Sequence, residues 1–91
     1  MFGLFKSPAD RIAKKVAKAL AEMQSAAVRG DWQTVAYAGR RYTALLAEYQ
    51  QCDGGSEEHL MSTLTAHGGL RLDQEYADHI FMELAKRGLE F

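Results

Sequence analysis

The 91 residues are 47% apolar and 25% charged, with a net charge of −1. That composition excludes a disordered chain and leads to the expectation of a single domain over residues 1–91. A lone cysteine, Cys52, excludes an internal disulfide framework. With no apolar run near the ~18 residues that span a bilayer and no secretory leader, the sequence reads as cytoplasmic.

Residues 1–6 (Met1-Phe2-Gly3-Leu4-Phe5-Lys6) form an N-terminal apolar segment ahead of the first helix-start signal. It is too short to hold a membrane surface by itself, so packing on the bundle or on a partner chain is the expectation. Ser7-Pro8-Ala9-Asp10 then reads as a helix start. Ser7 is the cap, Pro8 takes the first helical position and Asp10 answers three residues after the cap. The first helix is predicted over about 8–29, because Ile12, Val16, Leu20, Met23 and Ala27 recur at helical spacing. Ala9, Ala13 and Ala17 widen that face, and Arg11, Lys14, Lys15 and Lys18 occupy the remainder.

Gly30 can stop this helix in a left-handed conformation, and Asp31 can cap the next one at once. So short a joint folds the second helix, about 32–51, back against the first. Its seam is Val35, Gly39, Tyr42, Leu46 and Tyr49, with Trp32 one step earlier. Gly39 costs roughly 1 kcal/mol of helix propensity relative to alanine, which suggests that another helix approaches closely there. The hairpin should set Ile12, Val16 and Leu20 against Tyr42, Leu45 and Leu46. Gly30-Asp31-Trp32 resembles the turn inside a tetratricopeptide repeat, but no second copy follows about 34 residues on, so no repeat array is expected.

Asp53-Gly54-Gly55 ends the second helix and Ser56 caps a third over about 57–67, with Leu60, Met61 and Leu64 as its buried side. Gly68-Gly69 stops it. Asp73 caps a fourth helix over about 74–87, whose apolar face is Tyr76, Ala77, Ile80, Phe81, Leu84 and Ala85. Gly88 followed by Leu89 matches a Schellman-type stop. The fold class is therefore all-α: a small helical bundle with an antiparallel hairpin of two long helices and two shorter helices closing it.

Charge is segregated along the chain. Residues 1–30 hold six basic side chains against two acidic ones, residues 31–52 balance, and residues 53–91 hold eight acids against three bases. The two ends can attract each other within or between chains, so a homo-oligomer, the homodimer first, is expected. Catalytic motifs are absent: no Gly-x-Ser-x-Gly elbow, no phosphate-cradling loop, no Cys-x-x-Cys pair. Glu75, His79 and Glu83 share a helix face but lack the Glu-x-x-His pattern of bundle metal sites, and read as a solvated acidic stripe. No cofactor, no metal and no enzymatic activity are expected.

What remains is protein–protein interaction: an adaptor, a regulatory subunit or a small inhibitor of a larger machine, the class that includes anti-defence inhibitors encoded by phages and plasmids. Its partner-binding residues are predicted as Lys14, Lys18, Tyr37, Arg40 and Arg41, on the outer side of the first two helices. Arg and Tyr bind through area as well as charge, which suits a partner with an acidic surface. The alternative is a nucleic-acid-associated regulator using the basic first helix. The acidic fourth helix, beginning Asp73-Gln74-Glu75, argues against groove insertion. Neither nucleic acid nor membrane is the expected partner.

Overall fold

A computed structural model describes residues 7–91; the N-terminal apolar segment lies outside them. The described chain is all-helical, with α1 over Pro8–Arg29, α2 over Trp32–Gln50, α3 over Glu57–His67 and α4 over Gln74–Lys86. Each predicted start signal acts as a cap. Ser7 Oγ accepts from the Asp10 N–H at 3.1 Å, and Ser56 Oγ accepts from the His59 N–H at 3.0 Å. Asp31 Oδ1 accepts from the Thr34 N–H at 3.3 Å, and Asp73 Oδ2 from the Tyr76 N–H at 3.0 Å. These contacts satisfy amide donors that a helix leaves unpaired at its start.

The joint between α1 and α2 needs a residue in the left-handed region, and Gly30 supplies it with φ 76°. The N–H groups of Gly30 and Asp31 return to Ala27 O and Ala26 O at 3.1 and 2.9 Å. This doubled bond is the Schellman closure, and it turns the chain within two residues. Ile12, Val16 and Leu20 are buried in the resulting core, and Tyr42, Leu45 and Leu46 pack against that core, partly buried. Alanines fill much of the hairpin: Ala9, Ala13, Ala26, Ala36 and Ala38 are all buried.

The third and fourth helices attach to different partners. α3 packs on α1 and α4 on α2, whereas α3 and α4 scarcely meet. The start of α3 and the connection from α3 to α4 are each held by a side chain that grips both main-chain groups of one residue. Tyr49, itself buried, donates its hydroxyl to Ser56 O at 2.7 Å and accepts from the Ser56 N–H at 3.0 Å. Gln24, only 8% exposed in the middle of α1, donates from Nε2 to Arg71 O at 2.7 Å. Its Oε1 accepts from the Arg71 N–H at 2.9 Å. The buried amide is thus partnered at both its nitrogen and its oxygen, and it mimics a rung of sheet pairing.

On α4, Ile80 and Leu84 are buried against the hairpin. Trp32 lies beside the same helix, edge-on to His79 with centroids 6.4 Å apart, and the Arg87 guanidinium sits 4.8 Å from its ring. The predicted stop after α4 forms as expected. Gly88 adopts φ 70°, and Leu89 N–H reaches Leu84 O at 2.9 Å.

Two packing expectations are corrected. Met61 and Phe81, placed in the core by their spacing, are 43% and 52% exposed. The spacing was right for a closed bundle, but α3 and α4 do not close over each other. Gly39 is approached by the Phe91 ring rather than by another helix: a Cβ there would fall within 3.0 Å of three ring atoms.

Three carboxylates, two exposed and one half-buried, make stability pH-dependent. The Thr34 hydroxyl, then the Thr34 N–H, hold Asp31 below its ordinary value. Arg71 does so for Asp73, and Arg87 followed by Lys86 for Glu83. Each group is more acidic folded than unfolded, so the fold binds fewer protons and gains stability above the ordinary values of 3.8 for Asp and 4.5 for Glu. That contribution is lost as pH falls through the lower folded values. The melting temperature is therefore expected to be flat near neutrality and to decline once pH drops below about 4.5. Asp31→Asn with Asp73→Asn keeps both caps but removes two titrating groups, and should flatten that acid limb in pH-resolved thermal melts.

Candidate interaction surfaces

Two surfaces stand out, one basic and one apolar. On the basic side, Lys15 and Lys18 of α1 converge with Arg41 of α2 around a shallow depression floored by Ala44 and Leu45. Steps of three on α1, and of three and four on α2, bring these residues to one side of each helix. Arg41 also meets Glu22 at 3.4 Å, with both side chains about half exposed. Tyr37, 58% exposed, stands one turn before Arg41 on the same side of α2.

The five predicted partner-binding residues are thus divided. Lys18, Arg41 and Tyr37 share this face, and Lys15 joins them. Lys14 turns toward α3 instead, pairs with Asp10 at 3.5 Å and borders a groove with His59 and Ser62. Asp10 also faces His59, whose Nε2 is 3.3 Å from Oδ1. Arg40, about 100° round α2 from Arg41, reaches the other flank, where it donates to Glu90 O at 2.9 Å. Adjacent residues on a helix diverge, so Arg40 and Arg41 serve different surfaces.

The apolar side is a cleft of about 330 Å³ left where α3 and α4 fail to meet. Leu20 and Met23 form part of its floor, and Met61, Tyr42, Phe81 and Phe91 part of its walls. Leu72, on the α3–α4 connection, also lines it and is 41% exposed. Burial raises the Tyr42 phenol above its usual pKa. Arg71 lies 4.6 Å over the Tyr76 ring while its guanidinium holds Asp73 at 2.9 Å, so the rim's charges are matched at that end. Periodicity alone did not disclose the cleft, because the same residues would line the core of a closed bundle.

Elsewhere, the acidic stripe on α4 is drawn into local contacts. Glu83 binds Lys86 at 3.2 Å and Arg87 at 2.7 Å, and His79 lies between the Trp32 and Tyr76 rings. No group of three or more His, Cys, Asp or Glu side chains suited to a metal ion occurs among the described residues. Cys52 is a half-buried thiol packed against the core. Among the described residues no helix is long and apolar enough to cross a membrane. Comparison with protein-family models, with curated proteins and with solved structures finds no match for this chain.

Proposed function

We propose that this domain is a non-catalytic protein-interaction module, an adaptor or small inhibitor that binds an acidic surface of a larger protein through the basic side of its helical hairpin. The observation that supports this reading is the convergence of Lys15, Lys18 and Arg41 on an apolar-floored depression, with Tyr37 exposed alongside. Solvated charge alone contributes little to affinity, because surface ion pairs are worth only about 0–1 kcal/mol. An aromatic ring and an apolar floor add area that such pairs lack, and a preformed helical hairpin spares the cost of ordering the backbone that carries all four.

Charge reversal tests the reading. Lys18→Glu with Arg41→Glu should leave the melting temperature within a few degrees of the parent, since neither side chain is buried. A photo-crosslinking residue at position 37 should trap a protein partner in the parent and lose it in the double variant. Equal trapping in both would place the partner elsewhere. Retention of duplex DNA at about 0.15 M salt, lost in the same variant, would instead favour the nucleic-acid reading.

A further inference from the structure

The second surface carries an inference that does not depend on the first. Phe91 is seated where α2 has no side chain: its ring covers Gly39 and stacks on Phe81 with centroids 5.1 Å apart and planes 26° apart. The residue before it is held by its backbone, through the bond from Arg40 to Glu90 O. Phe91 remains partly exposed, and Glu90 is exposed. The ring also forms one wall of the open cleft. This seat has three parts: a floor stripped of its Cβ, an aromatic wall, and a cation at the preceding carbonyl. Its occupant shows what fits it, a short segment with an aromatic anchor whose preceding carbonyl faces a guanidinium.

We infer that the Gly39 seat and adjoining cleft form a peptide-binding site for an aromatic-anchored segment of a partner protein, with residues 90–91 as its tethered competitor. The partner's ring takes the place of Phe91 over Gly39, the carbonyl before it accepts from Arg40 as Glu90 O does, and a neighbouring apolar side chain enters the cleft beside Met61. Leu89 is fixed by its N–H on Leu84 O at 2.9 Å and packs on the core, so it anchors the two residues that follow. A short tether gives Phe91 an effective concentration of about millimolar, so a partner must outcompete it and binds the parent weakly.

The test uses a fluorescein-labelled heptapeptide, GSLEFSG, followed by anisotropy against the full chain. Phe91→Ala should bind the probe about tenfold or more tightly than the parent, since the competitor is gone. Adding Gly39→Val to Phe91→Ala should abolish binding by filling the seat. Circular dichroism checks that each variant is folded. Should Phe91→Ala fail to fold, Phe91→Leu retains an apolar cover and should show the same ranking. Equal binding to parent and Phe91→Ala, undiminished binding after Gly39→Val, or no binding to the folded Phe91 variants overturns the assignment. So does equal binding of a probe with alanine in place of phenylalanine, which would mean that the cleft takes any apolar chain. Charge reversal at Lys18 and Arg41 should leave probe binding unchanged, which separates this site from the basic face.

Discussion

Replacing Gln24 by methionine is expected to lower the stability of the fold by about 2 kcal/mol and the melting temperature by about 10 °C. Methionine preserves length and apolar packing, so the loss isolates the two bonds to Arg71. Both of those backbone groups are partly buried, and neither finds another protein partner when the amide is gone. A buried group left unmatched costs more than a bond in water returns, typically about 1–3 kcal/mol. The contact also spans 47 positions of sequence, so its loss frees the connection between α3 and α4 as well as the local peptide. Urea unfolding followed by circular dichroism gives the free energy directly. A variant within about 0.5 kcal/mol of the parent would show that water replaces the amide without cost.

Leu84→Ala is expected to be larger still, about 3 kcal/mol and about 15 °C. Leu84 is 1% exposed and, with Ile80, is one of two fully inward side chains of α4. Because α4 touches the hairpin at few points, truncation removes a large share of what holds it. The chain's one tryptophan makes this visible, since Trp32 contacts His79 and Arg87 of α4. Its emission should shift to the red before α1 and α2 melt, with the shift at lower urea than the loss of helical signal. Coincident transitions would mean that α4 and the hairpin unfold as one unit.

The helices were legible in the sequence because their ends are chemically marked. Ser7, Asp31, Ser56 and Asp73 cap where an acceptor at the helix start predicts, and Gly30 and Gly88 take the left-handed conformation that a stop requires. The hairpin followed from the two-residue joint. The placement of α3 and α4 did not, because periodicity gives the apolar face of a helix but not which neighbour that face meets. Met61 and Phe81 were therefore assigned to a core that the short helices leave open. Gln24 gave no signal at all: a glutamine between Met23 and Ser25 has the same spelling whether it faces water or a buried peptide. Of the predicted binding residues, Lys18, Tyr37 and Arg41 came together, whereas Lys14 and Arg40 turned to other flanks. A shift of one position rotates a side chain by about 100°, and charge composition does not register that rotation.

The grips on Ser56 and Arg71 have a further consequence, for how this chain tolerates substitution. Gln24 and Tyr49 recognise main-chain atoms, which every residue but proline carries in full. The constraint therefore falls on the gripping positions, 24 and 49, and of the gripped ones it spares position 71, since Ser56 is also the cap of α3. At position 71 almost any residue keeps the bond pair, at the cost of the guanidinium's contacts with Asp73 and Tyr76; proline alone has no N–H to offer Gln24. A site-saturation survey should accordingly find position 71 permissive with a single sharp exclusion, and position 24 close to invariant, although one is charged and exposed and the other is an ordinary helical glutamine.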